Sequence, residues 1–347
     1  MLAAVYHGPR DLRVERVPAP VVGAGELLLR IEEASICGTD LRVYHGQHRL
    51  FPPGTVRIPG HEVVGAIAEI GPGVKGYELG QRVFVAPNMG CGHCPQCVSG
   101  ANNLCPDYQA IGLTMDGGFA EYMRVPAPAV QQGNVMSVRA DLDPAVAALI
   151  EPLACVLRGQ NALRIRPGDA VLVLGAGPIG ILHIKLARLS GARRVLVSEP
   201  NARRLELARS AGVDRAINPI TEDLTAVVAA ETGGQGADAI IVATAVHAAQ
   251  EIAPRLAAIG GRINFFGGLP KDRPTITFDT NLVHYRELVV TGTTACSTDD
   301  CRRATEIVNS GRLELSDLIS GRFPLANVAD AFAAAEDGNS LKVVLEP

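Results

Sequence analysis

Residues 170–189 read AVLVLGAGPIGILHIKLARL, and this stretch decides the fold of the second half of the chain. An apolar run of strand length, residues 170–174, leads into the turn Gly175-Ala176-Gly177-Pro178-Ile179-Gly180, and residues 181–189 have the composition of a buried helix. Such a turn allows a tight reversal and a close backbone approach, and the helix N-terminus that follows attracts a pyrophosphate. A G-x-G-x-x-G segment alone is weak evidence, but this context predicts a dinucleotide-binding unit rather than a structural turn.

Glu199 ends the next predicted strand, 24 residues after Gly175. Its carboxylate could accept hydrogen bonds from both ribose hydroxyls of NAD and would repel the 2′-phosphate of NADP. The alternative interpretation is a solvent-exposed acid at the start of a helix. Arg203 and Arg204 follow closely, so NAD is favoured and NADP is the less favoured cofactor.

The local sequence pattern divides the chain into a β-rich part and an α/β part. Short strand-like runs at 26–33, 62–70 and 82–86, separated by Gly and Pro turns, predict a β-rich domain over residues 1–150. Over residues 151–292, strand-like runs alternate with helices, which is typical of a doubly wound parallel sheet. Residues 293–347 lose this rhythm, and we expect them to return to the first domain.

Composition excludes several classes of protein. The 347 residues are 47% hydrophobic and 20% charged, with a formal net charge of −4 and interspersed signs, so neither a nucleic-acid nor a membrane partner is indicated. No apolar run approaches the roughly 20 residues that span a bilayer. The N-terminus does not resemble a signal peptide, so we expect a cytoplasmic, reducing location.

Four cysteines lie in the run CGHCPQCVSGANNLC, at Cys91, Cys94, Cys97 and Cys105. Thiolates at this spacing can converge on one tetrahedral Zn²⁺, and in a reducing compartment zinc is favoured over a pair of disulfides. Because four thiolates fill the coordination sphere, this zinc would be structural.

A second group comprises Cys37, His61 and Glu62, which flank predicted strands. Taken singly, each is more often structural, and their spacing alone does not prove that they meet.

A family resemblance connects these residues. The run Gly60-His61-Glu62, followed by Gly65, Gly71 and Val74, is similar to the zinc signature of the medium-chain dehydrogenase/reductase family. The Cys37-Gly38-Thr39-Asp40 element, the four-cysteine run and the GAGPIG turn occur in the family's order. The chain therefore resembles a zinc-containing alcohol or polyol dehydrogenase. The resemblance implies a GroES-like β-rich catalytic domain, a Rossmann domain and a C-terminal segment that returns to the catalytic domain.

The resemblance also implies a second, catalytic zinc, so two zinc ions per chain. Its ligands would be Cys37, His61 and one or both of Glu62 and Glu151, with a position left for water or substrate. Glu151 stands where many alcohol dehydrogenases have a cysteine, and polyol and threonine dehydrogenases resemble this chain in having glutamate there.

By the same resemblance, Thr39 contacts the substrate alcohol and is the first group of the relay that removes the alcohol's proton. Where the family often has a relay histidine, this chain has Arg42, which cannot act as a base. The proton would leave through cofactor ribose and water, or through His45 or His48. Arg42, His45, His48 and Arg49 could also bind an anionic group of the substrate.

The resemblance further assigns the cofactor contacts. The adenosine half would lie against Ile179, Glu199 and Arg204. The pyrophosphate would lie on the turn that contains Gly175, Gly177, Pro178 and Gly180. The nicotinamide half and the adjoining backbone contacts are expected at Val242, Phe266, Gly267, Gly268, Thr293 and Thr294.

These observations predict an NAD- and zinc-dependent oxidoreductase that converts a secondary alcohol of a polyol or sugar, such as sorbitol or L-iditol, to a ketone. Alternatives of the same class are an L-threonine 3-dehydrogenase and a polyol-phosphate dehydrogenase. A non-catalytic nucleotide-binding protein is the alternative from another class, and the intact set of metal ligands argues against it. By family resemblance we also expect a homo-oligomer, either a tetramer or a dimer.

Overall fold

The computed structural model describes residues 1–347, and these form two compact units. The first unit comprises Met1–Ala154 and Ala295–Pro347, and the second comprises Cys155–Thr294. The sequence had predicted divisions after residues 150 and 292. None of the helices is both long enough and apolar enough to cross a membrane.

The regular elements are numbered here in chain order. The strands are β1 (Leu2–Gly8), β2 (Asp11–Arg16), β3 (Leu27–Ser35), β4 (Glu62–Ile70), β5 (Arg82–Val85), β6 (Asn88–Met89), β7 (Gln109–Ala110), β8 (Tyr122–Val125), β9 (Val135–Ser137), β10 (Ala170–Leu174), β11 (Arg194–Ser198), β12 (Arg215–Ile217), β13 (Ala237–Val242), β14 (Ala257–Phe265), β15 (Val289–Gly292), β16 (Ile319–Pro324) and β17 (Lys342–Glu346). The helices are α1 (Gly38–Tyr44), α2 (Pro95–Val98), α3 (Ala127–Gln131), α4 (Pro144–Ala148), α5 (Ile150–Leu163), α6 (Pro178–Leu189), α7 (Ala202–Ser210), α8 (Leu224–Glu231), α9 (His247–Leu256), α10 (Thr280–Arg286), α11 (Thr298–Asn309) and α12 (Val328–Glu336).

The first unit is built on a seven-stranded sheet that includes the two C-terminal strands of the chain. Its strands lie in the order β16-β17-β3-β4-β5-β9, and β8 also pairs with β3. The neighbours β3 and β4 are antiparallel, and β17 runs antiparallel to β3. Apolar side chains from β3, β4 and β17, such as Leu29, Ile67 and Leu345, are buried in one core. The C-terminal strands are therefore part of the sheet that carries the candidate metal ligands.

The second unit is the predicted Rossmann domain. Its six strands are all parallel and lie in the order β12-β11-β10-β13-β14-β15. The strand β10 lies centrally, with every residue buried, as expected for a strand covered by helices on both faces. Together with the β-rich first unit, this sheet confirms the predicted fold class.

The Ala- and Leu-rich stretch 145–163 has a composition typical of one helix, but it forms parts of two helices. The helix α4 ends at Ala148, and α5 begins at Ile150, with Leu149 capping the first and donating its N–H to Val146 O at 3.1 Å. An unbroken hydrophobic run does not reveal such a break, because both helices are apolar. The break places Glu151 in the first turn of α5, where the helix dipole favours a negative charge.

His183 on α6 gives the second unit a pH-sensitive core. Its side chain has no exposed surface, and its ring packs edge-on against Phe266 with the ring centroids 4.8 Å apart. Burial lowers the pKa of His183 from 6.5 to about 3. The imidazole is therefore neutral in the folded chain throughout the physiological pH range.

We expect His183→Asn to reduce the loss of stability on acidification. The unfolded chain binds a proton near pH 6.5 and the folded chain only near pH 3, so the stability contribution is complete above pH 6.5 and falls as the pH drops. For a single such group the free energy of unfolding falls by about 2 kcal/mol between pH 7.5 and pH 5. Urea unfolding at these two pH values should show a smaller fall in the variant. A matched substitution of the exposed His284 is the control, and an equal fall in His183→Asn and wild type contradicts the assignment.

Candidate functional site

The four cysteines of the 91–105 run converge at one point in the first unit. Their Sγ atoms all lie within 4.8 Å of one another, and none forms a disulfide. The N–H of Cys91 lies 3.2 Å from Cys105 Sγ, and the N–H of Cys97 lies 3.4 Å from Cys94 Sγ. Hydrogen bonds of this kind stabilise thiolates, which are the form that binds metal.

The ionisation of these thiols fits a cation at the centre of the cluster. Hydrogen bonds from the backbone of His93 and Cys94 lower the pKa of Cys91 to about 6. Burial raises the pKa of Cys97 to about 12. Because neighbouring thiolates repel one another, a cation is needed to hold all four deprotonated. A tetrahedral zinc fits this donor set and would leave no position for substrate.

We expect Cys94→Ser to lower the zinc content by about one ion per chain and to lower the midpoint of thermal unfolding, since a structural zinc contributes directly to folding. A chromophoric chelator under denaturing conditions measures the metal, and calorimetry measures the midpoint. Ser99→Ala, on the same loop but without a ligand atom, is the control. Unchanged zinc content in Cys94→Ser would show that the cluster does not hold the ion.

The second cluster brings together Cys37, His61 and Glu62. One ligand atom of each lies within 4.8 Å of the other two. Cys37 caps α1 two residues after β3, and His61 directly precedes β4. The antiparallel register pairs Ser35 with Glu62, and this pairing brings the end of β3 beside the start of β4. Residues that are 24 or more positions apart in the chain therefore meet through sheet pairing.

Asp40 orients two members of this cluster, although the sequence suggested no role for it. Its Oδ2 accepts a hydrogen bond from Cys37 N at 2.9 Å. Its Oδ1 lies 3.3 Å from His61 Nδ1, outside ideal hydrogen-bond geometry. Such a histidine–carboxylate pair selects the tautomer that leaves Nε2 for a metal. Burial lowers the pKa of His61, but Asp40 and Cys37 raise it by a larger amount, so the net pKa lies well above 6.5. A metal that binds His61 must therefore displace a proton.

Glu62 is completely buried and forms an ion pair that the sequence did not predict. Its Oε2 accepts a hydrogen bond from Lys342 Nζ, on β17, while its Oε1 has no hydrogen-bond partner. A lysine inside an apolar run was the one available signal, since buried lysines are rare unless paired. A buried, unpartnered carboxylate oxygen beside a thiol and an imidazole fits a bound cation.

Glu151 lies outside the cluster of Cys37, His61 and Glu62. Its Oε1 is 3.6 Å from Cys296 Sγ, and its side chain is also buried. Burial lowers the pKa of Lys342, but the negative charges of Glu62, Cys37 and Glu151 raise it by a larger amount, so the net pKa is above its usual value. Three of the four predicted ligands, Cys37, Glu62 and Glu151, therefore act electrostatically on the same buried lysine. Glu151 is nevertheless outside the cluster formed by the other predicted ligands.

Thr39 is beside Cys37 and accepts a hydrogen bond from Arg42. The distance from Arg42 Nη2 to Thr39 Oγ1 is 3.1 Å. A hydroxyl that accepts one hydrogen bond from a guanidinium keeps its own hydrogen for donation and a second lone pair for a further donor. Arg42 therefore contacts Thr39, the residue that is predicted to touch the substrate alcohol.

The two histidines considered as proton acceptors have different surroundings. His45 Nε2 pairs with the carboxylate of Glu336. Burial, together with the positive charges of Arg42, His61 and Arg49, lowers the pKa of His48 to about 4. A neutral His48 with this pKa is a weak base, so it is poorly suited to end a proton relay.

In the second unit, most of the predicted cofactor residues lie at or just after the C-terminal ends of strands, at one edge of the parallel sheet. The turn from Gly175 to Gly180 follows β10, Phe266 follows β14, and Thr293 follows β15. This is the edge at which open α/β sheets bind dinucleotides. Gly175 has φ +106°, and a Cβ on Gly180 would lie 2.0 Å from Gly175 O, so the turn requires glycine at both positions.

Glu199 is buried against this turn rather than solvent-exposed. Its Oε2 accepts a hydrogen bond from Ala176 N at 2.8 Å, and its Oε1 accepts one from Asn201 N at 3.0 Å. Each carboxylate oxygen can accept a second hydrogen bond, so the group can still receive ribose hydroxyls.

Comparisons with known proteins agree with this description. Residues 23–134 match the alcohol dehydrogenase GroES-like domain, and residues 178–310 match the zinc-binding dehydrogenase family. The chain is 35% identical over 350 residues to 2-dehydro-3-deoxy-L-galactonate 5-dehydrogenase of Pseudoalteromonas atlantica, covering 100% of this chain and 98% of the relative. It is 36% identical to L-threonine 3-dehydrogenase of Pyrococcus horikoshii, covering 94% of this chain and 93% of the relative.

A solved structure has the same fold throughout. A zinc-binding dehydrogenase from Sinorhizobium meliloti, bound to NADP, superposes with a TM-score of 0.91 and 34% identity, covering 100% of this chain and 99% of the other. The fold and the metal-ligand clusters define a zinc-binding dehydrogenase. The chain belongs to the zinc-containing medium-chain dehydrogenase/reductase family. It is an alcohol dehydrogenase of the zinc type that acts on a small-molecule secondary alcohol with a nicotinamide cofactor.

Proposed function

We propose that this enzyme oxidises a secondary hydroxyl of a polyol-derived acid, such as a sugar acid, to a ketone with NAD⁺ as hydride acceptor. The observation that carries the proposal is the buried cluster of Cys37, His61 and Glu62, in which one carboxylate oxygen has no partner. Cys37, His61 and one or both of Glu62 and Glu151 would hold the catalytic zinc. When bound, the zinc supplies Lewis acidity that lowers the pKa of an alcohol.

The protein's own groups then handle the substrate hydroxyl. Thr39 Oγ1 accepts a hydrogen bond from Arg42, and its second lone pair would accept the hydrogen of the substrate hydroxyl while its own hydrogen passes to the next acceptor. Since His48 is a weak base and His45 is paired with Glu336, we propose that the proton leaves through the cofactor ribose and water.

NAD is the proposed cofactor because a buried carboxylate borders the glycine turn. Glu199 would accept the ribose hydroxyls and repel a 2′-phosphate. The Sinorhizobium meliloti structure contains NADP, so both cofactors belong in the assay.

The substrates named for the relatives support a carboxylate group on the substrate. Galactonate derivatives and threonine are both carboxylic acids that carry a secondary hydroxyl. In this chain, the exposed Arg42 lies beside Thr39, and Arg42 and Arg49 both act electrostatically on His48. We therefore place sugar acids first, followed by threonine, neutral polyols and polyol phosphates.

A reduction screen with NAD⁺ and NADP⁺ across these four substrate classes tests the proposal. We expect the highest kcat/KM with a sugar acid and NAD⁺, and we expect Cys37→Ala to lower it by at least about 100-fold, because the loss of a metal-based Lewis acid costs several kcal/mol. Circular dichroism checks that the variant is folded. Retained activity in Cys37→Ala would contradict the assignment of the catalytic zinc.

We expect Arg42→Gln to discriminate between acidic and neutral substrates. Loss of one charged hydrogen bond should raise KM for a sugar acid by about tenfold. The KM for a neutral polyol should change much less. Arg16→Gln, a matched exposed arginine on β2, is the control. An equal change in KM for the sugar acid and for the neutral polyol would show that Arg42 does not bind the carboxylate.

A further inference from the structure

We propose that Lys342 competes with the catalytic metal for the carboxylate of Glu62, and so keeps a coordination position open for substrate. This inference rests on the proposed function, in which Cys37, His61 and Glu62 hold zinc. Lys342 is thus a positioning residue that acts through Glu62.

The contacts of Lys342 leave one oxygen of Glu62 available to a metal. Lys342 Nζ donates to Glu62 Oε2 and to Ile36 O, the latter at 3.1 Å. Glu62 Oε1 has no such partner. A carboxylate with one oxygen held by an ammonium group can bind a metal through the other oxygen, whereas a free carboxylate can bind through both.

Backbone pairing fixes the position from which the Lys342 side chain reaches Glu62. Lys342 is the first residue of β17, and β17 pairs with β3 through Val344 and Ser35. Ser35 in turn pairs with Glu62 across β3 and β4. The next residue along the chain, Val343, accepts a hydrogen bond from Ile36 N at 2.9 Å. The lysine and the glutamate are therefore held in place by the same sheet.

Charge makes the competition significant. The ammonium group of Lys342, 3% exposed, places one positive charge directly against the buried carboxylate of Glu62. Without the lysine, both the second oxygen and the additional negative charge favour tighter zinc binding.

A simpler structural role predicts the opposite result. If Lys342 only holds Glu62 in place, its removal displaces a metal ligand and the catalytic zinc is lost faster. The sign of the change in zinc release therefore separates the two roles.

The test is zinc release from the full-length holoenzyme to excess chromophoric chelator. We expect Lys342→Met, a neutral replacement of similar length, to slow release of the catalytic zinc by about tenfold. Release from the four-cysteine site should be unchanged, and it serves as an internal reference. The kcat should fall, since Glu62 then occupies the position needed by substrate. Release from Lys342→Met at the wild-type rate or faster overturns the proposal.

Two further variants keep the test decisive. Lys342→Arg retains the charge, so its catalytic zinc should leave no more slowly than in wild type, and slower release contradicts the proposal even if Lys342→Met does not fold. In the Glu62→Gln background, Lys342→Met should no longer slow release, because the contested carboxylate is absent. A wild-type chain with only one zinc would instead refute the proposed function.

Discussion

A fully buried carboxylate requires a nearby positive charge, and in this protein that constraint links the C-terminal strand to the candidate metal site. Glu62 has no exposed surface, and its ion-pair partner Lys342 comes from the last strand. Leaving one member of such a pair without the other costs about 3–5 kcal/mol. The sheet pairing of β17 with β3 is therefore an electrostatic requirement of the site as well as a contribution to the core.

Features formed by contiguous residues could be predicted from sequence alone. The four cysteines lie within fifteen residues, and the glycine turn joins one strand to the helix that follows. In both cases the covalent spacing nearly determines the geometry, so pattern and chemistry point to the same structure. The parallel sheet could also be predicted, because its strands alternate regularly with helices along the chain.

The relations between distant residues could not be predicted in this way. Lys342 and Glu62 are 280 positions apart, and a one-residue slip of β17 would turn the lysine to the other face of the sheet. Nothing local in the sequence sets that register. Glu151 and Glu199 were recognised as candidate site residues, but the helix break before Glu151 and the burial of Glu199 against Ala176 depend on tertiary packing.

The position of β17 has a consequence for how the enzyme is made. Residues 319–346 supply β16 and β17, so they are synthesised after β3, β4 and the other strands of the sheet that they complete. During translation, Cys37, His61 and Glu62 emerge hundreds of residues before the lysine that balances their charge. Until Lys342 has been synthesised, Glu62 lacks the positive charge that the completed sheet places against it.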